Sequence, residues 1–90
     1  MAIATYFHPE SLTAQQYDEA IRQLEAAGAA TPAGRVHHSC FGPDGDLMVY
    51  EVWESPQALE EYGSVLMPIL QKVGIDPGTP DVMPVHNLVS

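Results

Sequence analysis

Residues 46–70, DLMVYEVWESPQALEEYGSVLMPIL, decide the fold. From Leu47 to Trp53 nearly every side chain is apolar, aromatic or β-branched, the composition of a strand buried on both faces. Glu51 is the one charge in the run. Ser55 then offers a side-chain oxygen as a helix N-cap. Pro56 follows at the first helical position, where its missing N–H is no loss. Leu59, Tyr62, Val65, Leu66, Ile69, Leu70 and Val73 recur at helical spacing and give this helix a broad apolar face. Pro68 lies inside the pattern and is expected to kink or break the helix near Met67. Gly74 closes it.

Upstream, RVHHSCF (35–41) reads as a strand, and GPDG (42–45) as a turn in which Gly45 accepts positive φ. The segments 35–41 and 47–53 should therefore form an antiparallel hairpin. Residues 2–7, AIATYF, read as a first strand ending at Pro9, with Ile3, Thr5 and Phe7 on one face and Ala4, Tyr6 and His8 on the other. Thr13 and Gln16 make a T-x-x-Q capping box. The helix they open runs to about Ala27, with Tyr17, Ala20, Ile21, Leu24 and Ala27 on its apolar stripe. After the loop IDPGTP, Val82 to Val89 read as a fourth strand. The order β-α-β-β-α-β is the α+β, ferredoxin-like arrangement: a four-stranded antiparallel sheet with two helices on one face. The strands are apolar on both parities, so the uncovered sheet face implies a homodimer packed sheet to sheet.

Ninety residues make one domain, 1–90, with a limited core of its own. The net charge is −9, with only Arg22, Arg35 and Lys72 as cations. That argues against nucleic acid and anionic membrane surfaces as partners. Cys40 is alone and can form no internal disulfide. With no basic N-terminal region or long apolar run, a cytoplasmic location is expected.

Three stretches, VYEVWESPQALEEY (49–62), GRVHHSCFG (34–42) and MPVHNLV (83–89), carry a resemblance. The chain resembles the dimeric α/β-barrel superfamily, which includes antibiotic-biosynthesis monooxygenases and haem-degrading monooxygenases, and within it short actinobacterial-type members. The resemblance implies a homodimer with a ligand cavity between sheet and helices or inside the paired sheets. It also implies, for some relatives, oxidation of phenolic or quinol-like aromatics by O₂ without metal or flavin. The haem-degrading pattern calls for an early Asn, a Trp on the second helix and a His at its end. Here those places hold Phe7-His8, Tyr62 and Gln71-Lys72, which argues against haem degradation.

Histidine is the natural general base near neutrality. If the hairpin loop is Gly42 to Gly45, then Phe41 pairs with Asp46, His38 faces Val49 and Val36 faces Glu51. His38, Glu51 and Trp53 then share one face, with Arg35, His37, Met48 and Tyr50 on the other. A three-residue loop would reverse the faces. On the first register Glu51 can fix the tautomer of His38 and raise its basicity. His38 and Glu51 are therefore the candidate catalytic pair. Trp53, Tyr6, Tyr50, Tyr62, His86, Asn87 and His8 are candidate substrate contacts, each with a plainer reading as a core or hydrogen-bonding residue. No H-x-x-x-H, C-x-x-C, Gly-rich phosphate loop or G-x-S-x-G occurs. Neither metal nor cofactor is expected. The favoured expectation is a cofactor-independent monooxygenase acting on an aromatic or polyketide-like small molecule. A cyclase or isomerase would use the same base, and the alternative is a non-catalytic dimer that binds a hydrophobic metabolite.

Overall fold

The computed structural model describes residues 1–89. The elements are β1 (Ile3–Phe7), α1 (Ala14–Ala26), β2 (Arg35–Phe41), β3 (Met48–Trp53), α2 (Pro56–Val73) and β4 (Asp81–Pro84). They form one antiparallel sheet in the order β2-β3-β1-β4, the ferredoxin-like topology expected from the pattern. Ile3, Leu24, Trp53 and Tyr62 pack together as the core between sheet and helices, so the layer that carries the site is also the layer that holds the fold.

Local chemistry explains the helix ends. Thr13 Oγ1 accepts from Gln16 N–H at 3.1 Å, and Gln16 Oε1 accepts from Thr13 N–H at 3.1 Å, so two otherwise orphaned donors are satisfied at the start of α1. Ser55 Oγ accepts from Ala58 N–H at 3.2 Å at the start of α2. Gly74 ends that helix in the left-handed conformation, φ 86°.

Four expectations change, the last of them at the start of β2. Helix α2 runs unbroken through Pro68. Pro68 and the Ser64 carbonyl that it deprives of a donor sit on the exposed side, where water can satisfy that oxygen. Strand β4 stops at Pro84 rather than reaching Val89: Pro84 pairs with Ile3, where β1 begins, and one further bond runs from the Val85 N–H to the Ala2 carbonyl at 3.0 Å. The hairpin register differs by two residues: Phe41 pairs with Met48, Cys40 with Val49 and His38 with Glu51. Leu47 is the cause. It leaves the strand, buries its side chain, and its N–H donates to the Leu12 carbonyl at 3.1 Å, which lengthens the loop to residues 42–47. A shift of two preserves the pleat, so His38 and Glu51 still share a face.

A bulge between Arg35 and His37 has the larger consequence. It leaves Val36 half exposed and turns Arg35 to the face carrying His38, Glu51 and Trp53, against the expected assignment of Arg35 to the opposite face. Gly34 makes room for this. A Cβ there would lie 2.6 Å from the Ala58 Cβ, so α2 can sit against the start of β2 only over a glycine.

Thr5 is 1% exposed, and its hydroxyl has no hydrogen-bond partner. An unpaired buried hydroxyl costs about 1–3 kcal/mol. Thr5→Val is therefore expected to stabilise the fold by about 1 kcal/mol, read as a higher urea midpoint. A lower midpoint would mean that the hydroxyl is paired.

Candidate active site

The site begins with one buried carboxylate. Glu51 stands at the centre of β3, 5% exposed, directly opposite His38 on β2 and Thr5 on β1. Trp53, two residues on and on the same face, donates its indole N–H to Glu51 Oε1 at 3.1 Å. His38 Nδ1 lies 2.7 Å from Glu51 Oε2, and Arg35 Nη1 lies 3.7 Å from the same oxygen. As a carboxylate Glu51 can only accept, so the neutral His38 ring carries its proton on Nδ1. Its Nε2 is then an acceptor, and the Tyr17 hydroxyl, 2.6 Å away, donates to it. Four residues from α1, β2 and β3 thus form one continuous chain, Trp53–Glu51–His38–Tyr17.

Burial pushes the Tyr17 phenol up to about 12, the charge that Cys40 gains on ionising and that of Glu51 adding to the effect and Arg35 opposing it. Tyr17 therefore keeps its proton at neutral pH and serves as a donor. The stability linked to this proton is complete below the unfolded value near 10 and is lost as pH rises toward 12. Burial likewise raises the Tyr62 phenol and the Cys40 thiol, which leaves Cys40 a poor nucleophile.

These groups sit at the polar end of a cavity of about 300 Å³ between the sheet and both helices. Phe7 and Val49 line it from the sheet, Ala20, Ile21 and Leu24 from α1, and Leu59, Gly63, Leu66 and Met67 from α2. Ile75, Pro77 and Pro80 close one side. The walls are predominantly apolar, and among the described residues Arg35 is the one cation on them. Its Nη2 donates to the Ala30 carbonyl at 2.9 Å, and its guanidinium carbon lies 5.9 Å from the centre of the Tyr62 ring. An apolar hollow with a few converging polar groups is the usual form of a small-molecule site.

The structure brings His38, Glu51 and Tyr62 to this cavity. Trp53 lies just behind, fully buried, and holds Glu51 while packing on Tyr62 at 5.5 Å between ring centres. The remaining candidates lie elsewhere. Tyr6 and Tyr50 are cross-strand partners on the opposite sheet face, where Tyr50 also meets His37 at 5.8 Å. His8 pairs with Asp46 at 2.8 Å on the surface, and His86 and Asn87 are exposed after β4. Two site residues were not identified from the sequence. Tyr17 was hidden in an apolar helical stripe, although a tyrosine there needs a partner for its hydroxyl. Arg35 reaches the cavity only through the bulge. Among the described residues no three His, Cys, Asp or Glu side chains converge as a metal-binding group, and no helix is long and apolar enough to cross a membrane.

No protein-family model matches the chain, and no curated protein matches it. Solved structures do. SnoaB, a cofactor-independent oxygenase from Streptomyces nogalater, matches in a mutant form at a TM-score of 0.69 and 14% identity over 98% of this chain and 96% of its own. A provisionally assigned antibiotic biosynthesis monooxygenase from Chloroflexus aurantiacus gives 0.66 and 14% over 98% and 97%. Another from Deinococcus radiodurans gives 0.63 and 11% over 100% and 97%. The chain has the fold of the antibiotic-biosynthesis-monooxygenase-like proteins, with little sequence in common.

Proposed function

We propose that the protein is a small-molecule enzyme in which His38, held by Glu51, takes a proton from a phenolic or enolic substrate through the Tyr17 hydroxyl. One observation carries this reading: a His–Glu pair and a tyrosine form an unbroken hydrogen-bonded chain opening on an apolar cavity. The substrate hydroxyl would donate to Tyr17 Oη while the Tyr17 proton passes to His38 Nε2. Glu51 then faces an imidazolium, and Arg35 faces the new substrate anion. Burial among apolar walls makes each of these charge contacts count for more than in water.

In the monooxygenase reading, an activated ring CH₂ loses its proton to this chain and the carbanion adds O₂. The peroxide takes the proton back, and loss of water leaves a carbonyl. One oxygen atom stays in the product and the other leaves as water. The cofactor-independent oxygenase among the structures of this fold favours oxygenation over rearrangement by the same base. An oxygen electrode tests this with hydroxynaphthalenes and anthrones as substrates. Uptake with one of them, abolished in His38→Ala, is the expected result; no uptake with any, or uptake unchanged in His38→Ala, contradicts it.

A second reading rests on His38 being fully hydrogen-bonded in the resting protein, as suits a binding protein that does no chemistry. Tyr17→Phe separates the two. The relay requires turnover to fall by about 10²-fold with ligand affinity unchanged. A binding protein has no turnover to lose.

The open sheet face presents Phe41, Tyr50 and Met83, 45%, 37% and 60% exposed. A second copy of the chain would cover them and complete a dimer. Sedimentation velocity should give twice the 9.8 kDa chain mass; a monomer contradicts the pairing.

A further inference from the structure

Helix α2 faces the cavity with a regular stripe: Leu59, Tyr62, Gly63, Leu66, Met67 and Leu70. Five of these six positions carry large side chains. Gly63, near the middle, carries none. Nothing in the backbone asks for glycine there. Its φ is not among the positive values that six other glycines adopt. Nor does packing ask for it, since a Cβ built on Gly63 would meet nothing within 4 Å. Glycine inside a helix is nonetheless a poor choice, because it loses the most backbone freedom on folding. The space left by the missing side chain is therefore idle in the fold but forms part of the cavity wall.

We infer that Gly63 is a specificity-determining residue: it sets the width of the cavity, and the ring body of the ligand lies against the α2 backbone at this point. A ligand placed there has its apolar rings between the stripes of α1 and α2, with Ala20 as the small residue on the α1 side. Its hydroxyl reaches the polar end at Tyr17 and Arg35. The occupant this fits is a flat, fused-ring phenol rather than a linear acyl chain, which would pass along the walls without needing the gap. The inference rests on the cavity being the ligand site but not on any reaction occurring in it.

The test uses 2-naphthol as the probe, titrated calorimetrically into the wild type, Gly63→Ala, Gly63→Leu and Ser64→Leu. Ser64 is the neighbouring exposed position and reports any effect on the helix itself. Gly63→Ala and Gly63→Leu are expected to fold, with Tm raised by about 4–8 °C for the alanine variant. Binding should weaken at least tenfold in Gly63→Leu and about threefold in Gly63→Ala, an overpacking effect, and stay at the wild-type value in Ser64→Leu. Equal binding by wild type and Gly63→Leu overturns the inference alone, as does equal weakening in Ser64→Leu. If Gly63→Leu does not fold, unchanged binding by Gly63→Ala overturns it. No binding by the wild type overturns the cavity reading, and the inference with it.

Discussion

Replacing Glu51 by Gln is expected to lower turnover by about 10²- to 10⁴-fold, the range spanned by losing a positioned general base or its tautomer-fixing partner. The reason is local. Glu51 accepts from two N–H donors, one from Trp53 and one from His38. A glutamine amide has one oxygen and one NH₂, so it can accept from only one of the two side chains and presents N–H to the other. Whichever way the amide sits, either His38 loses the bond that holds its proton on Nδ1 or Trp53 loses its acceptor. The negative charge beside Arg35 is also lost, and Arg35 is only 15% exposed. Breaking one side of a buried ion pair costs about 3 kcal/mol or more. For a domain of this size that is a fall in Tm on the order of 10–20 °C. Steady-state kinetics with the substrate found by oxygen uptake, together with a thermal melt, check both parts. Loss of activity without loss of Tm would mean that Arg35 has another counter-charge.

Trp53→Ala has the largest expected effect on folding. Trp53 is the biggest of the fully buried side chains and lies at the junction of β3, β2, β1 and α2. Removing it should cost about 3–5 kcal/mol. Total stabilities of about 5–15 kcal/mol put a chain of 90 residues near the lower end, so much of the variant should be unfolded at 25 °C. Trp53→Phe refills most of the volume but removes the donor to Glu51. It should cost about 1–2 kcal/mol in urea unfolding and disturb His38 through Glu51. Equal stability of the wild type and Trp53→Ala would contradict the placement of the core.

The sequence carried the fold because each local signal agreed with the next. The T-x-x-Q box at Thr13, the Ser55-Pro56 entry to α2 and the glycine closing it at Gly74 all describe short-range hydrogen bonding, and all stand in the structure. What the pattern missed was set by contacts distant in sequence. Leu47 looks like strand, but its N–H goes to the Leu12 carbonyl 35 positions away, and that contact moves the hairpin register. The Val36 bulge has no composition signal in RVHHSCF, yet it decides that Arg35 enters the site. The pairing of His38 with Glu51 was legible because it depends only on strand parity, which a two-residue shift leaves intact. The position of Tyr6 and Tyr50 on the far face follows from the same parity.

The central claim, that an acidic ligand in the cavity hands its proton to His38, is tested most directly by the absorbance of bound 2-naphthol as pH is raised. The naphtholate band lies at longer wavelength than that of the neutral phenol. In the wild type the bound probe should ionise at lower pH than in His38→Ala, because both proteins bury the phenol among the same apolar walls and only the wild type offers His38 as the acceptor of its proton. Identical titration of the bound probe in both proteins, or ionisation at lower pH in His38→Ala, would contradict the account.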